Sequence, residues 1–304
     1  MAEWMILVLL VPAIVVPVAM LVGFAGCQLV FGVDEYQPGP TNGASESGDP
    51  VIESAEGKSV SIITLKWKFA GPATKFQIER SGQLLPEEPD SSPFDDSDGL
   101  KADTSYSYKV LALDSSGPIS NWSNEVVGKT LKFEPTFQAW PDPPYTPLDS
   151  DGWEGHTLVQ RIEPLRLSTS GTKVRITLRA SSMIDASIER IYISQPKPNS
   201  TNPYDSEDDL TAVTTTPIFI PQGGTFTIPD DGTGIDYVLK NGFPLLIAVD
   251  FAPSPPSGVA YIVTAPEEAV AYWNPGVAEA AQTSRSANYQ QEPIIYLIEK
   301  IEVG

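Results

Sequence analysis

Few side chains in this sequence could carry covalent or acid–base catalysis. The 304-residue chain contains one histidine, His156, and one cysteine, Cys27. A Ser-His-Asp triad would have to use His156, yet the sequence has no Gly-x-Ser-x-Gly nucleophile motif. It also lacks a phosphate-binding loop, a dinucleotide fingerprint and the Cys/His spacing of a zinc site. We therefore expect a non-enzymatic protein with no cofactor and no metal, in which His156 is a surface or interface residue.

Carboxylates are abundant, and three short acidic segments concentrate them. These segments are Asp95–Gly99, Asp149–Gly152 and Asp205–Asp209. Calcium is bound by about six to eight oxygen atoms around one centre, and Asp-rich turns can contribute several of them. None of the three segments has the ligand spacing of an EF-hand loop. Solvated turns are the favoured interpretation, and calcium sites are the alternative.

Five aromatic residues in or beside predicted loops could form a ligand-binding face. They are Trp140, Tyr145, Trp153, Tyr272 and Trp273. Exposed aromatic rings commonly stack on sugar rings, so one hypothesis is a surface that binds a host surface glycan. The other hypothesis is that these rings seal a domain junction or a subunit interface, where tryptophan and tyrosine are enriched. The interface hypothesis is favoured.

The composition of the whole chain excludes further classes of function. Asp and Glu outnumber Lys and Arg by 39 to 19, which gives a net charge of −20. Because nucleic-acid binding depends on cationic side chains that displace counterions, no nucleic-acid partner is expected. The 29 prolines and 23 glycines favour a turn-rich β-protein. The length suits two domains of ~100–200 residues each.

The N-terminal segment differs sharply from the rest of the chain. Residues 4–33 carry no charged side chain, and as a helix rising ~1.5 Å per residue they would span a bilayer core of ~30 Å. We expect residues 1–33 to form an apolar helix that anchors the protein in a membrane or an apolar protein channel. One alternative is an ordinary signal peptide, although its usual positive n-region is missing. Another is lipoprotein processing, because Phe24–Cys27 resembles a lipobox, which implies lipidation of Cys27.

Residues 34–57 follow with six carboxylates and no basic side chain. A segment of this composition cannot bury a core, and repulsion between its like charges keeps it extended. We therefore expect an acidic linker that holds the rest of the protein away from its N-terminal anchor.

Residues 58–131 show the alternation of short β-strands. Single residues separate Ile63, Leu65 and Trp67, and the same spacing recurs at Phe76 and Ile78. Apolar residues at every second position predict strands with one buried face. Clusters of Gly, Pro, Ser and Asp interrupt these runs at short intervals, which is typical of a β-sandwich.

This region also carries several features of one known family. They are Leu65–Trp67, Leu100 with Tyr106 six residues later, Val110–Asp114, and Gly117 ahead of Trp122–Asn124. The region resembles a fibronectin type III domain, which implies a β-sandwich with Trp67 and Tyr106 in its core. The resemblance also implies a role as a spacer or binding module. Integrin-type adhesion is not implied, because the sequence has no Arg-Gly-Asp tripeptide.

A Pro-rich connector at residues 132–150 precedes a second domain at residues 151–304. Val174, Ile176 and Leu178 alternate with polar residues, which predicts a strand with one buried face. A second such strand contains Ile188, Ile191 and Ile193. The continuous apolar run Leu245–Val249 predicts a central strand buried on both faces.

Shorter runs complete the second domain. Ile218–Ile220 and Phe226–Ile228 flank Gln222–Gly224, which predicts a hairpin, and Ile294–Ile298 predicts the closing strand. Apart from Pro275–Thr283, which could form one or two helical turns, no convincing amphipathic helix is found. The predicted fold is all-β: a fibronectin type III sandwich plus a second, larger β-sandwich of jelly-roll type, preceded by the apolar helix.

Six short segments of the second domain carry a further resemblance. They are Gly152–Trp153, Val174–Ser182, Tyr192–Ile193, Pro203–Asp205, Ile220–Gly224 and Lys300–Glu302. They are similar to a β-sandwich module of phage-encoded and prophage-like proteins of alphaproteobacteria, which accompanies some tail proteins and esterase domains. The resemblance implies an accessory domain of a virion or a cell surface.

These expectations favour a structural or attachment protein. The leading hypothesis places it in the tail fibre or tail tip of a phage or phage-like virion, in contact with other tail proteins and with copies of itself. The alternative is a lipoprotein of the bacterial cell envelope, lipidated at Cys27, whose second sandwich binds glycans. A third hypothesis is an accessory protein of a separate esterase or glycosidase chain.

Overall fold

The structure, a computed structural model, describes residues 48–139 and 147–304, which form two β-sandwiches within one compact unit. The predicted apolar helix at residues 1–33 lies outside the described residues, together with Cys27 and most of the predicted acidic linker. Trp140 and Tyr145 lie outside them as well. Within the two described ranges, no helix is both long enough and apolar enough to cross a membrane.

The first sandwich consists of eight strands. They are β1 (Val51–Ser59), β2 (Ile62–Lys68), β3 (Lys75–Arg80), β4 (Gln83–Leu84), β5 (Phe94–Asp96), β6 (Ser105–Asp114), β7 (Gly117–Pro118) and β8 (Val126–Lys129). One sheet has the strand order β1-β2-β5, and the other has the order β4-β3-β6-β7, with β8 also paired to β6. Since β7 and β8 pair with opposite ends of β6, the two short strands share one edge of the second sheet.

The core of the first sandwich confirms the predicted alternation. Ile63, Leu65 and Trp67 of β2 are buried, and they pack in one cluster with Phe76 and Ile78 of β3. The rings of Trp67 and Phe76 lie 5.2 Å apart, edge to face, which is a favourable arrangement for aromatic pairs. Apolar side chains from both sheets thus fill the space between them.

A hydrogen bond of Tyr106, at the start of β6, is a further feature typical of β-sandwiches with Greek-key topology. The Tyr106 hydroxyl accepts a hydrogen bond from the backbone N–H of Lys101, 2.8 Å away, and Leu100 is buried in the same cluster. Such a tyrosine corner, in which the hydroxyl bonds to the backbone a few residues upstream, is typical of Greek-key sandwiches. The sheet order and this corner give the region the fibronectin type III-like β-sandwich fold that the sequence predicts.

The first sandwich begins earlier than predicted. Strand β1 starts at Val51, inside the expected linker at residues 34–57, and pairs antiparallel with β2. Ile52 is buried, whereas Glu53 and Glu56 are exposed. Because a strand with one solvated face needs few apolar residues, the acidic composition concealed it.

The described residues of the second sandwich form fifteen strands and one 3-10 helix, Pro164–Arg166. The strands are β9 (Glu134–Gln138), β10 (Leu148–Ser150), β11 (His156–Ile162), β12 (Gly171–Arg179), β13 (Ala186–Ser194), β14 (Thr211–Thr214), β15 (Ile218–Ile220), β16 (Thr225–Ile228), β17 (Ile235–Leu239), β18 (Leu245–Phe251), β19 (Val259–Val263), β20 (Ala269–Pro275), β21 (Gln290–Glu292), β22 (Ile294–Tyr296) and β23 (Ile298–Val303).

These strands form three sheets. The largest has the order β14-β13-β18-β11-β20-β21, with β15 also paired to β13. A second has the order β16-β12-β23-β9, with β17 also paired to β12, and a small third sheet has the order β10-β19-β22. One apolar cluster contains residues from all three sheets, so they enclose a common core. The all-β prediction is confirmed, and the finer jelly-roll assignment stays a prediction.

The predicted buried faces are confirmed in the second sandwich. Val174, Ile176 and Leu178 are fully buried, and β18 is buried at every position because it lies between β13 and β11. In β13 the pairing register shifts just after Ile188. Such an irregularity places an extra residue in the strand, which explains why the next buried residue is Ile191.

The predicted hairpin at residues 218–228 is wrong. Strand β15 pairs with β13 in the largest sheet, whereas β16 pairs with β12 in the second sheet. The turn at Gln222–Gly224 therefore carries the chain from one sheet to the other. The backbone N–H of Gln222 donates to the Asp185 carboxylate at 2.8 Å, which holds this corner. Turn-forming residues alone do not distinguish a hairpin from such a corner.

Three further segments differ from expectation. Strands β9 and β10 lie within the predicted connector at residues 132–150 and pair with β23 and β19, so much of the connector belongs to the second sandwich. The predicted closing strand at residues 294–298 divides at Leu297, which has a left-handed φ of 63°. Residues 275–283 form no helix.

Loops cover the outer face of the largest sheet. Val159, Leu246 and Ala248 of this sheet pack with Tyr204 and Tyr272 in a second apolar cluster. Tyr204 belongs to the loop between β13 and β14, at residues 195–210. This loop is therefore fastened to the sheet by apolar contacts, and both faces of β18 are shielded from water.

Gln160 is a buried polar residue in the middle of β11. Its side chain is fully shielded from solvent, and within the described part of the chain neither amide atom has a hydrogen-bond partner. Its cross-strand neighbours are Ile247 and Ala271. An unpaired buried amide costs about 1–3 kcal/mol. We expect Gln160→Leu to raise the free energy of unfolding by about that amount, measured by urea unfolding of the full chain.

An exposed glutamine provides the control for this substitution. Gln83 lies on β4 with an exposed side chain, and Gln83→Leu should leave the free energy of unfolding nearly unchanged. A Q160L protein that is less stable than the parent would contradict the prediction, because the amide would then have a stabilising partner in solution.

Candidate functional site

A small aromatic cavity lies at one end of β11. Its volume is about 140 Å³, and it is lined by Ser150, Asp151, Gly152, Trp153, His156, Trp273 and Tyr296. The centroid of the Trp153 ring lies 4.7 Å from that of Tyr296 and 6.2 Å from that of Trp273. The His156 ring lies 5.7 Å from each of the two tryptophan rings. Four ring systems thus meet around this space, which we call the aromatic cavity.

Hydrogen bonds fix two of these rings by their polar edges. Trp153 Nε1 donates to Ser150 Oγ at 3.1 Å, and the Tyr296 hydroxyl donates to the Glu292 carboxylate at 2.9 Å. Burial, followed by the bond to Glu292, raises the pKa of Tyr296 above its ordinary value, so the hydroxyl stays a donor at neutral pH. The ring positions are therefore set before any ligand arrives.

The structure corrects the prediction that the aromatic residues lie exposed in loops. Trp153 and Tyr272 are only 5% and 6% exposed, and Tyr272 and Trp273 belong to strand β20. Because side chains alternate along a strand, Tyr272 packs on the outer face of the sheet while Trp273 lines the aromatic cavity. Trp140 and Tyr145 lie outside the described residues. The ligand or interface role of the five residues stays a prediction.

The hydrogen bonds around His156 do not form a catalytic triad. Ser150 and Asp151 line the same cavity, but Ser150 Oγ accepts the bond from Trp153, and His156 Nδ1 lies 3.1 Å from the backbone carbonyl oxygen of Glu154. Nucleophilic catalysis needs a nucleophile, a base and an orienting group linked in sequence. In the described ranges, no hydrogen bond links His156 to a serine or a carboxylate. Aromatic rings form most of the lining of the cavity.

A larger groove lies near the other end of β11. Its volume is about 670 Å³, within the range of small-molecule sites. Phe243 lies in its lining with 53% of its surface exposed. Amide and charged side chains line the groove around this ring: Arg161, Gln195, Lys197, Asn199, Asn202 and Glu207. The groove combines one exposed aromatic ring with hydrogen-bond donors and acceptors.

The main wall of the groove is held by its own hydrogen bonds. The backbone N–H of Lys197 donates to the carbonyl oxygen of Asp205 at 2.8 Å, and Ser200 Oγ donates to the Asp205 carboxylate at 2.7 Å. Asn199 has a left-handed φ of 59°, which asparagine adopts more readily than most residues. Arg161 Nη1 ties the wall to β11 by donating to the Pro203 carbonyl oxygen at 3.2 Å. A wall fixed in this way loses little conformational freedom on binding.

The three acidic segments provide acceptors for internal hydrogen bonds. Asp96 pairs with Arg80 at 2.8 Å, and Asp149 accepts a bond from the backbone N–H of Ser182 at 2.6 Å. Bonds from Ser182 lower the pKa of the Asp149 carboxyl. Asp205 holds the groove wall. In the part of the chain that the structure describes, no group of three or more His, Cys, Asp or Glu side chains is arranged to hold a metal.

The groove was not predicted from the sequence. Its residues come from the loop after β13 and from the turn before β18, segments that are far apart in the chain and only the fold brings together. One signal was present: residues 195–203 contain three prolines and two asparagines. Prolines stiffen a loop, asparagines stabilise its turns, and long ordered loops are often functional.

In the described residues, the chain forms two β-sandwiches, and the second carries the aromatic cavity and the groove. No protein-family model matches the chain, and no curated protein matches it. It resembles an Fn3-like protein from Clostridium thermocellum, at 23% identity over 30% of this chain and 99% of that chain, with a TM-score of 0.25.

Two further structures match over more of this chain, but their sequence identities and TM-scores are also low. An α-L-rhamnosidase from Dictyoglumus thermophilum is 10% identical over 84% of this chain and 29% of its own, with a TM-score of 0.24. The FN1-FN3 domains of chicken CNTN1 are 12% identical over 83% of this chain and 88% of theirs, with a TM-score of 0.25. At these TM-scores the similarities do not bear on function.

Proposed function

We propose that this protein is a non-enzymatic attachment protein whose second sandwich binds a surface saccharide in the groove. The observation that carries the proposal is the half-exposed ring of Phe243 among amide and charged side chains. The C–H face of a sugar packs on an aromatic ring, while its hydroxyls exchange hydrogen bonds with side chains such as Asn202 and Glu207. Nε and Nη1 of Arg161 already donate to Glu163 and to the Pro203 carbonyl oxygen, so Arg161 would offer its Nη2 to a sugar oxygen.

The fixed loop supports this proposal. Saccharides gain little from apolar burial, so binding depends on side chains that are already in position. The internal bonds of Asp205 and the left-handed turn at Asn199 provide such a wall. The first sandwich, with its fibronectin type III-like fold, acts in this proposal as a spacer.

We further propose a location in the tail of a phage or phage-like virion. The apolar residues 4–33 would anchor the chain in the tail assembly or in a membrane, and several copies would assemble side by side. The resemblance of the second domain to a phage-encoded module supports this setting. The cell-envelope lipoprotein is the second candidate, and the lipobox-like Phe24–Cys27 favours it.

Replacing the exposed ring tests the saccharide proposal. The full chain is applied to an array of bacterial surface polysaccharides, and the affinity for the best ligand is measured by calorimetry. We expect Phe243→Ala to weaken binding about tenfold, because stacking on one aromatic ring contributes ~1–1.5 kcal/mol. Phe219→Ala is the matched control, since Phe219 on β15 is similarly exposed, at 56%. Equal losses in both variants, or no ligand on the array, would refute the proposal.

The mass of the native protein distinguishes the two settings. A retained Met1 supports the anchored tail protein, whereas a diacylglycerol group on Cys27 supports the lipoprotein. Mass photometry in detergent then tests the multiple copies, and a strict monomer would contradict the assembly in a tail.

A further inference from the structure

The aromatic cavity is independent of the groove. We propose that it binds a quaternary ammonium group, such as the trimethylammonium head of choline or phosphocholine. This site lies beyond the saccharide function proposed above, because its residues come from other segments of the second sandwich.

The ring geometry suits a compact cation better than a flat sugar. The Trp153 ring meets the Tyr296 ring at 60° and the Trp273 ring at 69°. The His156 and Trp273 rings are inclined by 43°. Trp153 contacts its neighbouring rings edge to face, which leaves no broad, flat face for a sugar but borders a small space with several rings. A methylated ammonium group interacts favourably with aromatic rings, because ring quadrupoles attract a positive charge.

The charges around the cavity also favour a cation. Among the described residues, no Lys or Arg lines it, and Asp151 contributes an exposed carboxylate to its lining. The net charge of −20 adds to this preference.

The size and stiffness of the cavity restrict the ligand further. A volume of about 140 Å³ is well below that of sites for drug-sized molecules, so a small head group fits and an oligosaccharide does not. Trp153 and Tyr296 are held by hydrogen bonds at their edges, and Trp273 is fixed in β20 opposite Leu158. The cavity therefore needs little rearrangement to receive its ligand.

Calorimetric titration of the full chain tests this site with choline and with 3,3-dimethylbutan-1-ol, its neutral carbon isostere. We expect the neutral isostere to bind about tenfold more weakly, because the cation–π and carboxylate attractions are lost while the shape stays the same. Phosphocholine is the third ligand that is titrated. Binding as tight as that of choline indicates a group carried on a phosphorylated surface, and weaker binding indicates a free cation; both results support the site.

Variants separate this site from the groove. Trp273→Ala should weaken choline binding about tenfold, and Trp273→Phe should weaken it less, which guards against simple misfolding. Asp151→Asn, at an exposed position, should weaken it about threefold. Phe243→Ala should leave it unchanged, so failure of the saccharide proposal does not affect the outcome. The proposal is overturned if choline gives no saturable binding, if the neutral isostere binds equally well, or if W273F and D151N both bind like the parent.

Discussion

An Arg285→Met variant should lose about 3–5 kcal/mol of the stability of the second sandwich. Arg285 is 5% exposed and lies in the loop between β20 and β21. Its Nε donates to the Glu279 carbonyl oxygen at 3.1 Å, and its Nη2 donates to the Ala280 carbonyl oxygen at 3.0 Å. Its Nη1 donates to the Tyr204 carbonyl oxygen and to Ser206 Oγ. One guanidinium thus joins its own loop to the loop that forms the groove wall.

The energetic cost arises from the acceptors that remain. Burial lowers the pKa of the Arg285 guanidinium, since the charged group is removed from water. Methionine avoids the desolvation cost of the charged group. However, it leaves several buried oxygens unpaired, and each unpaired group costs about 1–3 kcal/mol. The carboxylates of Asp205, Asp250 and Glu279, which attract Arg285, also lose a compensating charge. The losses therefore exceed the gain from avoided desolvation.

Thermal unfolding of the full chain measures the effect, and a loss of this size corresponds to a fall in Tm of roughly 10 °C for a domain of this length. Arg285→Lys is the matched control: it keeps the charge but not the planar array of donors, so its stability should lie between those of the parent and the methionine variant. Equal stability of R285M and the parent would show that water satisfies these carbonyl groups.

The sequence predicted strands wherever the alternation of apolar residues was regular. It located the buried face at Val174, Ile176 and Leu178, because a side-chain period of two is a local property. It failed at the corner at Gln222–Gly224, where the same turn residues serve either a hairpin or a crossing between sheets. Which partner a strand takes depends on distant segments, and a single sequence does not contain that information in readable form.

The candidate sites show the same difference between local features, which the sequence predicts, and tertiary contacts, which it does not. Tyr272 and Trp273 were identified by residue type alone, but they belong to strand β20, which extends through a segment that was expected to be a loop. The groove was missed because Arg161 and Phe243 are 82 positions apart in the chain. Residue type indicates which chemistry is available, whereas only tertiary pairing determines which groups meet.

An Asp96→Ala variant should destabilise the first sandwich by about 3–5 kcal/mol. Asp96 is 1% exposed on β5, whereas Arg80 and Tyr108 belong to the opposite sheet. Arg80 Nη1 lies 2.8 and 2.9 Å from the two carboxylate oxygens, and the Tyr108 hydroxyl donates to Oδ2 at 2.7 Å. Burial, followed by this bond, raises the pKa of Tyr108 above its ordinary value. Alanine would remove the buried carboxylate that pairs with the Arg80 guanidinium and would leave the buried Tyr108 hydroxyl without its acceptor.

Asp98 provides a control that separates the loss of the Asp96 contacts from the loss of one negative charge in this acidic segment. The Asp98 side chain is exposed, and its backbone carbonyl oxygen accepts a bond from Arg80 at 2.7 Å, which Asp98→Ala retains. We therefore expect D98A to unfold like the parent in urea, although both substitutions remove one negative charge. Asp96→Asn should fall between them, because its amide keeps the shape and one acceptor but places N–H donors near Arg80. Equal midpoints for D96A and D98A would mean that the pair does not hold the two sheets together.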